Sequence, residues 1–524
     1  MSTTIGGVRI ADMPDLGAVN DASSFVGERA GSGRFGAPAF KSYATTGLAT
    51  SAAVLAAATG LSARSYGAIG DGVADDTLAL QAAIDAAVAA QQALYIPGGR
   101  YRITAALLLT RGVRIFGAYA EPQVAMFTPA PNTPGNGTWL MLEAAHLVSA
   151  FLINPTGAPS NTNQAMGIEI GYLGIYHAQP SPGAGWAPAA YPPAINIPAG
   201  SDVNLHDICL FNPTAGIRAV GQSAGRLTIE RITGQPLIAG IVLDNQTDTV
   251  VVRDVHFWVN WSLDSNVLSW MKANTVALQL GRIDNPVIDN LVCLWMHIGV
   301  GITATANGSA SVVRLTNCDF DECANPFIIS DSVGGHTVFA TGCLFGGDTS
   351  NVTATSGVTI MGSGTGSQVY LSACSVQSFG QHCVYNVASG GSNHVRIAAC
   401  QLFQWDMLNA GHYCMYTVHT NSIRCDAGTL TFSINSNTKL VSGGQCIKDP
   451  ITWITHGVMG ATATSVVLPH LLDVPPDMIL VSPEGGPSAA TEWWGTADAS
   501  NVTVQVNIAP GSNVNFAVLL GIEN

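Results

Sequence analysis

The densest group of chemically able side chains is the segment Cys318-Asp319-Phe320-Asp321-Glu322-Cys323, in a chain where only 10% of 524 residues are charged. Alternation places Asp319 and Asp321 on one face of a strand, roughly 6.5–7 Å apart at Cα. Two neighbouring carboxylates titrate apart, one held protonated by the other's charge, which is what paired general acid–base work needs. Asp319, Asp321 and Glu322 are therefore the candidate acids, with Asp254, Asp284, Asp289, Asp348 and Asp406 as rivals. His256 and Trp258 fall on the equivalent face two strands earlier. Trp261 and Trp270 lie in the insertion after them, and Trp295 follows the next strand. The competing reading is that the acids cap turns or hold a structural cation while the tryptophans fill an interface.

What positions these groups is a repeat. Apolar, two variable, apolar, one variable, apolar recurs as Ile170–Ile175, Leu205–Leu210, Val252–Phe257, Ile288–Cys293, Leu315–Phe320, Ala340–Phe345, Leu371–Val376 and Ile397–Leu402. The middle residues (Leu173, Ile208, Ile232, Val255, Leu291, Cys318, Cys343, Cys374, Cys400) follow one another at intervals of 23 to 36 residues. Such a period marks a solenoid, each unit burying its apolar face against the next. The two variable residues form a turn and the alternation beyond it a strand, so the expected fold is all-β, a right-handed parallel β-helix. Cys318, Cys343, Cys374, Cys400 and Cys425 are expected in equivalent positions of successive rungs, as small buried hydrophobes rather than disulfides or metal ligands.

Composition narrows the function. Net charge is −14, with lysine only at 41, 272, 439 and 448, which sets nucleic-acid binding aside. No apolar run is long enough to span a bilayer, so no membrane insertion is expected. The start shows neither the basic nor the apolar region of a signal peptide, so folding in a cytoplasm is expected. No phosphate loop, dinucleotide fingerprint or paired metal motif is present, and no cofactor or metal is expected.

The remaining segments divide as follows. Residues 1–45 read as an irregular adaptor and 46–64, Ala-rich with Leu48, Val54, Leu55 and Leu61, as a helical neck. Residues 65–447 form the β-helix. Residues 448–524 are short alternating strands expected to make an antiparallel β-sandwich. In 65–103, Asp71-Gly72 makes a turn, Asp75 and Asp76 cap a helix carrying Leu80, Ile84 and Val88, and Ala93–Ile96 opens the first rung.

That opening, YGAIGDGVADDTLALQAAI followed by LYIPGGRYRI, resembles the first segment of pectate-lyase-like β-helix proteins, above all bacteriophage tailspikes. The resemblance implies a homotrimeric virion component, attached to the phage tail or baseplate through residues 1–45. It would act on a bacterial surface polysaccharide (capsule, exopolysaccharide or O-antigen) during host adsorption. Under it, Asp319, Asp321 and Glu322 become glycosidase acids, and His256, Trp258, Trp261, Trp270 and Trp295 the wall of a saccharide groove. A polysaccharide lyase with Arg253, Lys272, Arg282 or Arg314 as its base, and a non-enzymatic adhesin, are the alternatives. Gly334-Gly335-His336-Thr337 lacks the glycine that would complete a polygalacturonase signature. Trp493-Trp494 is either a second sugar platform or a buried core or inter-subunit contact.

Overall fold

The computed structural model describes residues 60–521, with breaks at 126–130, 155–165, 222–225, 349–354, 420–421, 427–428, 433–438, 442–445, 449–452, 471–474, 477 and 485–488. It also describes a short antiparallel pair, Thr4–Ile5 with Val8–Arg9. The rest of the expected adaptor, and the neck apart from its last residues, lie outside the described residues; those last residues are not an α-helix, since Leu61–Ser62 is a strand that pairs with Leu94 and Tyr95 in the first rung and Ala63–Tyr66 is a single 3-10 turn.

The chain winds as a right-handed parallel β-helix. One sheet of 12 parallel strands runs from Leu107–Leu109 to Lys439–Val441. The other two segments of each rung form a second continuous parallel sheet, folded along a corner. In the middle rungs a single strand passes through that corner, as in Ile283–Leu294. Later rungs divide it, as in Val312–Thr316 followed by Asp319–Cys323.

The corner explains the two variable residues of the repeat. Just before the buried anchor, Tyr172, Asp207, Arg231, Asp254, Asn290, Asn317, Ala373 and Ala399 all adopt φ between 51° and 60°, and Gly342 takes 64°. A left-handed residue turns the strand without ending its pairing, so rungs stay in register on both sides. The anchors Leu173, Ile232, Val255 and Leu291 are fully buried. Beyond them Phe257, Cys293, Phe320, Phe345, Val376 and Leu402 form a second inward column, also fully buried.

The cysteine ladder is present with one correction. Cys318, Cys343, Cys374 and Cys400 hold equivalent positions, free and buried. Cys425, however, pairs beside Ile397, before the corner, and the Cys400 backbone N–H meets the Thr429 hydroxyl at 3.3 Å. This rung turns later than its spacing suggests, and Thr429 takes the ladder position.

The helix Thr77–Ala90 covers the open end of the stack with Leu80, Ala83, Ile84 and Ala87. The two aspartates divide the work assigned to both. Asp75 Oδ1 accepts from the Thr77 N–H (3.0 Å) and hydroxyl (2.5 Å), holding the helix start. Asp76 instead accepts from the amides of Ile69 (2.6 Å) and Gly70 (3.0 Å), tying the preceding turn to the helix. His336 is fully buried, its Nε2 2.6 Å from Asp331 Oδ2, so the Gly-Gly-His-Thr segment serves structure. The C-terminal strands form two antiparallel three-stranded sheets. They face each other, Trp493 from one lying 5.7 Å from Phe516 of the other, while Trp494 is exposed.

Phe320 is fully buried and stacks on Phe345 at 5.6 Å. Phe320→Ala removes an aromatic from the inward column and is expected to destabilise by about 3–5 kcal/mol, read as a lowered denaturant midpoint.

Candidate acidic site on the β-helix

The register brings the outward residues of successive rungs into columns. Thr233, His256, Val292, Asp319, Leu344 and Ser375 are sequential neighbours in one column. Leu294 and Asp321 pair in the next. Asp319 and Asp321 thus share one face of the strand Asp319–Cys323, with His256 two rungs, about 9.6 Å, from Asp319.

Their surroundings differ. Asp319 Oδ1 is buried and has no hydrogen-bond partner among the described residues. Burial, reinforced by the charge of Asp321, raises the Asp319 pKa above the usual carboxylate range. Asp321 Oδ1 accepts from the Glu322 N–H at 3.0 Å. The rung bulges here: pairing with Leu344–Gly347 runs through Asp319 and Phe320 and resumes only at Cys323. Glu322 is left at a second left-handed corner (φ 51°). Trp295, Ser378 and Gln404 occupy the same position in other rungs, so the conformation belongs to the scaffold.

Glu322 therefore turns away from the acid pair. Its carboxylate lies 3.8 Å from Lys272 Nζ, which is 2.8 Å from the almost fully buried Asp348. Lys272 comes from the helix Ser265–Asn274, started by Asp264, whose side chain accepts from the Asn266 N–H. His297 fastens the helix to the rung, its N–H donating to the Met271 carbonyl at 3.1 Å.

Of the tryptophans, Trp258 and Trp295 lie 6.1 Å apart, with His256 5.4 Å from Trp258. The Trp295 N–H donates to the Asp321 carbonyl, so this ledge adjoins the acid rung. Trp261 does not belong to it. It is 2% exposed, packed at 5.8 Å on Trp186, and cannot wall a groove. Trp270 is half-buried, edge-on to Trp186 at 6.2 Å, with its indole N–H donating to the Leu237 carbonyl at 2.9 Å. Both anchor the insertion to the solenoid. Their partner Trp186, which sequence reasoning missed, sits in a Pro- and Gly-rich loop where no periodicity gives direction. The rivals are occupied elsewhere: Asp254 accepts from Asn290 (2.8 Å), Asp284 pairs with Arg282 (3.0 Å), and fully buried Asp406 accepts from Ala410 and Gly411 amides. Asp289 is half-buried on the outer face before the corner. A polar cleft of about 290 Å³, lined by residues including Arg100, Glu121 and Asn132, shares no residue with the acid pair.

Residues 60–141 match the family described as rhamnogalacturonase A/epimerase, pectate lyase-like. Mannuronan C5-epimerase AlgE4 of Azotobacter vinelandii is 48% identical over 63 residues, 10% of this chain and 11% of that protein. AlgE5 of the same organism is 57% identical over 42 residues, 8% of this chain and 4% of that protein. The match therefore spans about a tenth or less of these relatives' length. Among solved structures, the AlgE4 A-module is similar with TM-score 0.43 and 15% identity, covering 74% of this chain and 95% of that one. The tailspike of Pseudomonas phage phi297 has TM-score 0.33 and 8% identity, covering 88% and 99%.

The raised Asp319 pKa has a consequence for stability. Folding favours the protonated form, so its contribution is complete below the unfolded pKa of 3.8 and lost as pH rises through the folded value. Asp319→Asn removes that loss. The variant should melt at or above the wild-type temperature at pH 7, with the difference shifting against Asn as pH falls through the folded Asp319 value and levelling off below 3.8. Trp261→Ala should instead destabilise at every pH, by about 3–5 kcal/mol.

Proposed function

We propose that this protein is a tailspike-type virion component that binds a bacterial surface polysaccharide and cuts it by glycosidic hydrolysis. Asp319 is the general acid and Asp321 the second carboxyl of the pair. The observation that carries the reading is the difference between these carboxyls: Asp319 has a buried, unpartnered oxygen and a raised pKa, two residues from Asp321. A hydrolase needs one carboxyl protonated to give the leaving oxygen its proton, and a second ionised as base or nucleophile. The ledge of His256, Trp258 and Trp295 offers flat apolar faces to the sugar rings beside the acids. Glu322 and Asp348 act as positioning residues, holding Lys272 and through it the overhanging helix.

Attachment through residues 1–45, assembly as a homotrimer and location in the phage tail complete the proposal, supported by the resemblance of the opening segment to tailspikes. Elimination chemistry is the weaker reading, because it requires an unprotonated base. Lys272 Nζ is engaged by the carboxylates of Glu322 and Asp348, and a guanidinium, the group that Arg253, Arg282 and Arg314 offer, gives up its proton only with great difficulty.

The test incubates the purified full chain with capsular polysaccharides and lipopolysaccharides, following polymer size and reducing ends. Wild type should shorten one of them with new reducing ends and no unsaturated product. Asp319→Asn should lower the rate at least 100-fold while leaving binding intact. The wild-type rate should fall as pH rises through the Asp319 pKa, because the acid form is the working one. Binding without shortening would make the protein an adhesin, and an unsaturated product would make it a lyase.

A further inference from the structure

The same rungs carry a second outward column, on the segments that precede the corner. Five successive strands present Arg314, Phe339, Tyr370, Arg396 and Arg424 as direct neighbours. Phe339 and Tyr370 are exposed (41% and 37%), and their rings stack at 5.1 Å with 16° between planes. Thr341 and Gln368, from the columns on either side, add a hydroxyl and an amide. No aspartate or glutamate occurs in the strands Val312–Thr316, Thr337–Thr341, Gln368–Ser372, His394–Ala398 or Ile423–Cys425. In a chain with 34 acidic and 20 basic residues, this is a locally cationic face. Among the described residues, neither Arg314 nor Arg396 has a carboxylate within ion-pair distance.

We propose that this face binds a polysaccharide bearing repeated carboxylates, laid along the helix axis; the proposal rests on the reading of the protein as glycan-binding. A guanidinium offers paired N–H donors that match a carboxylate. Arg314 and Arg396 stand three rungs apart, about 14 Å, with the aromatic pair between them as an apolar surface for sugar C–H groups. The charge pattern selects the class of ligand: a neutral glycan leaves both arginines without a counter-charge. Arg314 and Asp319 belong to one rung on opposite sides of the Asn317 corner, so a polymer on this column runs beside the acid pair.

The experiment measures binding of alginate, hyaluronate, polysialate and neutral dextran to the immobilised full chain. It compares wild type, Arg314→Gln/Arg396→Gln, Arg314→Lys/Arg396→Lys and Phe339→Ala/Tyr370→Ala, each checked by circular dichroism and melting. At least one carboxylated polymer should bind at least about tenfold tighter than dextran, and more weakly as salt rises. The Gln pair should weaken that binding about tenfold or more, the Lys pair less. The proposal is overturned if dextran binds equally, if no carboxylated polymer binds, or if the folded Gln pair binds unchanged. It is overturned too if the Gln pair changes the sedimentation mass, which would mark the face as a contact between copies. Arginine-dependent binding without cutting would sink the hydrolase reading alone. Asp319-dependent cutting of a neutral glycan, with no carboxylated binder, would sink this proposal alone.

Discussion

Everything on this solenoid depends on one residue per rung held in the left-handed region. For a residue other than glycine that conformation costs about 1 kcal/mol or more, and nine rungs adopt it at φ between 51° and 64°. The compensation is visible beside it. Each corner delivers a buried anchor, and several corners bond to their neighbours: Asn290 donates to Asp254, and Arg231 meets Asp207 with two hydrogen bonds. Because the strand bends without leaving the ladder, alternation survives on both sides of the turn. The acid pair beyond the corner and the arginine column before it are both products of that continuity.

How far the sequence could be read follows from the same fact. The inward columns were legible because burial enforces an apolar type in every rung. The outward columns could be counted from the anchors, which brought His256, Val292 and Asp319 into line. The second corner was hidden, because Trp295, Glu322, Ser378 and Gln404 share a backbone conformation but no chemistry. Glu322 was grouped with the two aspartates by adjacency alone, and the corner turns it to Lys272. Trp261 and Trp270 failed for a different reason. They lie in an insertion outside the repeat, and only the position of Trp186, some 75–85 residues earlier, decides which way they face. Cys425 was misplaced because its interval fitted while the rung turned four residues later.

The scarcity of charge gives the few ionised groups unusual reach. Lys272 is one of four lysines in the chain, and it joins the helix Ser265–Asn274 to two carboxylates on the solenoid. The arginine column is a second concentration, and around the corner on the same rungs stand the acids. Opposite signs therefore stand on adjoining faces of one stack.

The register also decides which changes in chain length the architecture tolerates. A single residue gained inside a strand would invert every later side chain of that rung, exchanging buried for outward positions. A residue gained in the segments 179–193 or 259–264 falls outside the strands, and a whole turn gained or lost leaves each column intact. Such a molecule diversifies by rewriting its excursions or by adding and dropping complete coils, and resists gradual lengthening within them.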